Sequence, residues 1–178
     1  MKRHQHSFLT NCIAGLALGV IAVFGTLAVA ADTRALGTFS DWSAHQFAEK
    51  GGNVCYLYSV PKKSTGDYTK RGDTYVQVTH RVSDGTRNEV SVTAGYTYKK
   101  GSNVTIVIDG KRFSLFTDDD TAWTQDANAD ATLVAAMRAG ATMTVQGTSS
   151  RGTLTSDTYS LSGFTAANNA IDKACGVK

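Results

Sequence analysis

Residues Asn103 to Phe116 read NVTIVIDGKRFSLF, with apolar and polar side chains alternating on both sides of Asp109-Gly110. Asp-Gly suits a two-residue type I′ turn, in which both central residues need φ > 0. Such a loop fixes the pairing of the strands it joins. Ile108 then faces Lys111, Val107 faces Arg112, Ile106 faces Phe113, Thr105 faces Ser114 and Val104 faces Leu115. One face collects Val104, Ile106, Phe113 and Leu115; the other collects Thr105, Ser114, Val107 and Arg112. A slip of one residue would scatter the apolar set over both faces. A lone hairpin is marginal in water, so other strands must cover its apolar side.

The flanking segments supply them. VCYLYSV, Val54 to Val60, is β-branched and aromatic, and Pro61 ends it. Thr74 to Val82 alternates, with Val76, Val78, His80 and Val82 opposite Tyr75, Gln77, Thr79 and Arg81. Asn88 to Tyr98 places Val90, Val92, Ala94, Tyr96 and Tyr98 on one face, and Gly95 within it marks a bulge or a close backbone approach. Thr142 to Gln146 and Leu154 to Leu161 resume strand spacing. FSDWSAHQF, Phe39 to Phe47, is short and strand-like around Trp42. Asp32 to Leu36 reads as a loose lead-in, and Lys62 to Asp73 as a polar loop. Asp130 is placed to cap a short helix carrying Leu133, Val134 and Met137 and stopped by Gly140. Thr165 is placed to cap a last helix whose apolar face is Ala167, Ile171 and Ala174. Seven or eight short strands and two short helices predict an all-β fold, an antiparallel sandwich or barrel. Parallel βαβ order is not expected, because no helices separate the early strands.

At the N-terminus, Lys2 and Arg3 precede a chargeless run from Leu9 to Ala31 that finishes in small residues. The pattern is a secretory signal over residues 1–31, leaving a single domain over 32–178. The run is near the ~20 residues that span a bilayer, so an uncleaved anchor is the rival reading and the one route to membrane contact. Loss of Lys2 and Arg3 lowers the net charge from +3 to +1, which offers nothing to nucleic acid. Export to the periplasm or the medium meets an oxidising compartment. Cys55 and Cys175 then read as a disulfide, with two separate buried thiols as the other possibility.

No motif for a reaction stands out. His45 and His80 are scattered, and His80 lies on the apolar side of its strand, as expected for a half-buried histidine bonded to backbone or hydroxyl groups. There is no nucleophile elbow and no zinc spacing, so neither catalytic residues nor a metal or cofactor is expected. Asp126-Ala-Asn128-Ala-Asp130 imitates the start of a calcium loop, but Ala131 and Met137 stand where Gly and Glu are needed. Arg71-Gly72-Asp73 spells a tripeptide that integrins read, and Gly-Asp before a strand is also ordinary turn chemistry. Asp118, Asp119 and Asp120 near Trp123 hold the ingredients of a glycoside hydrolase without its arrangement. The many tyrosines suit half-buried strands and also contact surfaces. The candidate contact surface is Tyr96, Tyr98, Trp123, Arg71 and Asp73.

Taken together, FSDWSA, CYLYSVPK, RNEVSVTAGYTYKKGSNVTIVIDGKRFSLFT, DTAW, LVAAMRAG, GTSSRGTLTSDTYSLSGFTAA and AIDKAC make the chain resemble the invasion-associated locus B family of exported alphaproteobacterial proteins. The resemblance implies a β-sandwich-like envelope domain without a cofactor, in a family some of whose members are associated with host-cell entry. The expected function is therefore non-enzymatic binding to an envelope or host component. The alternatives are an envelope-polymer hydrolase and an adhesin acting through Arg71-Gly72-Asp73.

Overall fold

The computed structural model describes residues 33–177; the signal reading of residues 1–31 lies outside them. Its centre is the hairpin. β7 (Asn103–Ile108) pairs with β8 (Lys111–Asp118) in the register that the Asp-Gly turn dictates, from Ile108 opposite Lys111 to Asn103 opposite Phe116. Asp109 and Gly110 have φ of 49° and 79°, the pair of positive values a type I′ turn requires. Val104, Ile106, Ile108 and Leu115 are buried, and Phe113 is half-buried beside them.

Around it the described residues form one antiparallel sheet of eleven strands. The others are β1 (Arg34–Phe39), β2 (Trp42–Glu49), β3 (Gly52–Ser59), β4 (Lys63–Gly66), β5 (Tyr75–Arg81), β6 (Thr86–Thr93), β9 (Thr121–Trp123), β10 (Thr142–Thr148) and β11 (Leu154–Ser160). Their spatial order is β1-β2-β3-β5-β6-β9-β8-β7-β10-β11-β4. The sheet coils back on itself. Trp42 at the start of β2 donates from its indole nitrogen to the Ser160 carbonyl at the end of β11, 3.0 Å away. Its ring meets Phe164 edge-on at 4.9 Å. The inner face carries Leu57, Val76, Val78, Val90, Val92, Ile106 and Met143, all buried.

Three strands exceed the expected number, each for a physical reason. β1 falls on the expected lead-in and is an edge strand with little to bury. β4 lies in the expected polar loop; its Lys63, Ser64, Thr65 and Gly66 are all exposed, and it is held by backbone pairing to β11 and by the Thr65 hydroxyl, which donates to the Ser156 carbonyl. β9 has three residues, too few for any periodicity.

The helices α1 (Ala127–Ala139) and α2 (Phe164–Cys175) are where they were expected, but their caps differ. Asp126, not Asp130, caps α1, accepting from the Ala129 amide at 2.9 Å. Asp130 is buried one turn in, where it accepts from the Val90 amide and the Thr124 hydroxyl. That use of the acids replaces the calcium-loop reading. Gly163 with φ of 88°, not Thr165, begins α2. Phe164, Ala167 and Ile171 bury its inner face, and Cys175 at its end is bonded to Cys55 on β3.

Beside this bond His80 on β5 is fully buried. Its Nδ1 accepts from the Asn88 amide at 3.0 Å, so its Nε2 carries the hydrogen and donates to Asp172 of α2 at 2.7 Å. The partners are thus a backbone amide and a carboxylate rather than a hydroxyl. Burial pushes the imidazole below its ordinary value; Asp172 opposes this, and Arg87 and Arg138 reinforce it. A native pKa below about 6.5 means the unfolded chain takes up this proton first as pH falls. Stability is therefore full above pH ~6.5 and declines below it until the native pKa is passed. Glu89 and Asp130, both raised by burial, work in the opposite sense, so a difference measurement is needed. Thermal unfolding between pH 7 and 5 should show a shallower acid decline for His80→Gln than for the wild type.

Candidate functional site: a guanidinium–tyrosine cleft

Inward-facing positions on β11 are Thr155, Asp157 and Tyr159, all buried. A carboxylate there needs a partner, because an unpaired buried charge is costly. Arg71 provides it from the segment joining β4 to β5. Its Nη1 and Nη2 donate to the two Asp157 oxygens at 2.7 Å each, and its Nε donates to the Ala94 carbonyl. The two side chains are only 7% and 3% exposed. Burial works against the charge on Arg71, and the Asp157 carboxylate more than offsets it, holding the guanidinium above its ordinary pKa.

Tyrosines complete this end of the core. The guanidinium carbon lies 5.0 Å from the Tyr96 ring centre and 5.6 Å from that of Tyr68, within cation–π reach. Tyr96 shares a 2.7 Å hydrogen bond with the Thr155 hydroxyl and meets Tyr98 edge-on at 5.3 Å. Burial raises the Tyr96 phenol pKa, and that of Tyr98 further.

Two glycines let the segment sit this close. The Gly72 amide donates to the Gly95 carbonyl at 2.9 Å. Gly95 has φ of +70°, and a Cβ there would lie 2.4 Å from the Gly72 oxygen. The close backbone approach expected at Gly95 is thus present. Gly95→Ala should cost more than about 2 kcal/mol, the left-handed penalty plus a clash. Gly85 has φ of +77° but open space around it, so Gly85→Ala should cost only about 1–2 kcal/mol. Urea unfolding of the pair separates the close approach from the dihedral.

Above this floor opens a cleft of about 690 Å³. One wall is the segment of Tyr68, Lys70 and Arg71; the other is the turn of Ser149, Ser150 and Arg151; Tyr96 and Thr155 lie between. Lys70 and Arg151 are exposed, and neither joins an ion pair among the described residues.

The expected contact residues divide. Arg71 and Tyr96 come together at the cleft. Tyr98 is 4% exposed and belongs to the core. Asp73 is exposed beside a neighbouring hollow lined by Tyr75, Asp119 and Asp120. Trp123 is elsewhere, in an outer-face groove with Phe47, Tyr56, Gln77 and Glu89. On that same face His45 stacks on Tyr56 and Tyr58, at ring-centre distances of 5.3 and 5.7 Å. The sequence signal for this second aromatic group was the parity of Tyr56 and Tyr58 against buried Cys55 and Leu57.

Two alternatives meet geometry they did not need. The tripeptide Arg71-Gly72-Asp73 has its arginine turned inward and held by Asp157, so it cannot be read as a free Arg-Gly-Asp loop. Asp118 at the end of β8 and Asp119 and Asp120 in the β8–β9 turn are all exposed. Asp119 and Asp120 accept from the hydroxyls of Thr97 and Thr121, and Trp123 points into a different groove. Among the described residues no cluster of His, Cys, Asp and Glu is arranged to hold a metal ion.

No curated protein and no solved structure matches the chain. A family model does, and it spans residues 42–172, from the Trp42 that closes the sheet to the Asp172 that meets His80. With more than half of its residues matched, the chain belongs to the invasion associated locus B (IalB) protein family.

Proposed function

We propose that this protein is an exported, non-enzymatic envelope protein that works by binding, and that the cleft over Arg71 and Tyr96 is its contact surface. The observation that carries the reading is the Arg71–Asp157 pair. It fixes an ion-paired, aromatic floor beneath an open cleft, so little ordering remains to be done when a partner arrives. Export is supported by the signal pattern of residues 1–31 and by a disulfide of the kind oxidising compartments sustain. The non-enzymatic reading is supported by the local engagement of Asp119 and Asp120 and by the structural use of His80.

The family's name ties it to invasion. We carry that to this chain as a consequence of envelope binding rather than of direct adhesion through Arg71-Gly72-Asp73, because the arginine is engaged. Asp73→Glu should therefore leave attachment of host cells to immobilised protein unchanged.

The test of the main reading is a crosslinking pull-down from intact envelopes. Wild-type protein should capture a defined partner, and the Lys70→Ala/Arg151→Ala double variant should lose it. Both side chains are exposed, so the variant should keep its fold. Equal capture by both proteins would move the contact surface elsewhere. Robust turnover of an envelope polymer by purified protein would overturn the non-enzymatic reading.

A further inference from the structure

We infer that the cleft takes an acidic saccharide, a sugar ring bearing a carboxylate or phosphate; this rests on the reading of the cleft as the contact surface. Three features of the lining converge on that chemistry. The first is charge. Lys70 and Arg151 stand on the two walls without an ion-pair partner among the described residues, and the one carboxylate of the lining is Asp67. Arg71 is already neutralised by Asp157, so the two wall cations are the charges left for a ligand. An anion between them would form charge-assisted hydrogen bonds, the strong class.

The second feature is the aromatic content. Tyr68 is 38% exposed at the mouth, and Tyr96 is fixed by Arg71 and Thr155. Aromatic faces are electron-rich, and a pyranose presents a patch of polarised C–H bonds that packs on such a face. The third is scale. The cleft of about 690 Å³ falls within the ~300–1,000 Å³ typical of small-ligand sites, room for a sugar rather than a single ion. The surrounding hydroxyls, Ser150 among them, suit a polyol. An acidic peptide would satisfy the cations too, but the two tyrosines and the serine and threonine hydroxyls of the lining favour a polyol ring over a carboxylate side chain.

The experiment is a titration of the purified, disulfide-bonded protein with defined probes, read by calorimetry. The probes are tetragalacturonate, mannose 6-phosphate, neutral maltotetraose, inorganic phosphate and tetraglutamate. Tetragalacturonate, mannose 6-phosphate or both should bind at least about tenfold more tightly than maltotetraose and than phosphate. Lys70→Ala and Arg151→Ala should each weaken that binding by about tenfold, the loss of one charge-assisted contact. Which of the two sugars binds identifies the anionic group. Equal binding of maltotetraose would remove the charge requirement, equal binding of phosphate would reduce the cleft to an anion site, and equal or tighter binding of tetraglutamate would assign it to acidic peptides. Each of these overturns the inference, as does binding of none of the probes. If the pull-down partner depends on Lys70 and Arg151 while no acidic sugar binds, the ligand class is wrong and the contact surface stands. If the pull-down is indifferent to both residues, the contact surface itself is wrong.

Discussion

The Cys55→Ser/Cys175→Ser double variant should unfold about 4–5 kcal/mol more easily than the wild type. The bond joins residues separated by 120 positions. Closing so long a loop removes much of the unfolded chain's freedom, and the chain-entropy model gives about that value. The geometry adds a second cost. Cys175 ends α2, whose Phe164 and Ile171 are fully buried against the sheet. Cys55 lies opposite His80 in the β3–β5 pairing, and His80 holds Asp172 on the same helix. Without the bond, this helix depends on its apolar face, the His80–Asp172–Arg138 contacts and the hydrogen bonds of Thr165, Asn168 and Asn169. Denaturant unfolding of the two proteins, with and without reductant, gives the difference. Reduced wild type should fall to the level of the double variant. A loss under 1 kcal/mol would mean the helix is held by packing alone.

Arg71→Met should be nearly as damaging, at about 3–5 kcal/mol, because it leaves Asp157 charged, buried and alone. The companion variant decides the cause. Arg71→Met/Asp157→Leu removes both charges and should recover much of the loss, since a buried pair replaced by apolar residues is often close to neutral. If the double variant is as unstable as the two single losses added together, the pair is not coupled. Both variants should lose binding at the cleft. The segment that carries Lys70 and Tyr68 is anchored in the core by Arg71, and its other ties are single hydrogen bonds, Gly72 to Gly95, Thr74 to Ala94 and Thr153 to Asp67.

The two predictions rest on features of unequal legibility. The hairpin at Asp109-Gly110 was readable to the residue, because turn chemistry and alternation are both local and agree. The disulfide was readable from the cysteine count and the export pattern. β4 was not, because Lys63 to Gly66 bury nothing and are ordered by their neighbour β11. The caps were misplaced by a few residues for a related reason. Asp130 and Asp126 are both good N-caps, and only the burial of Asp130 beneath Val90 decides between them. Gly163 outcompetes Thr165 because the chain must turn with positive φ close to Phe39, where a Cβ would lie 1.9 Å from the Phe39 carbonyl.

At the site, the sequence placed Arg71 and Tyr96 in one group but did not show that Arg71 is paired with Asp157. Its partner Asp157 is 86 residues away. Nothing local marks that aspartate as inward-facing except the alternation of Thr155, Asp157 and Tyr159, which looks like an ordinary polar strand. Lys70 and Arg151 were not grouped, because their placement on the two walls of one cleft depends on two loops that the sheet brings together. Trp123 was assigned to the acidic triplet by nearness in sequence, but it lines the groove of Phe47 and Tyr56, whereas Asp119 and Asp120 line the hollow beside Asp73.

The most direct measurement is site-specific photo-crosslinking in cells producing the full chain. A crosslinker at Ser150, on the wall of the cleft, should give a discrete adduct; one at Asp109, at the exposed hairpin tip, should give none. Adducts from Asp109 but not from Ser150 would contradict the cleft as the surface through which this protein makes its contacts.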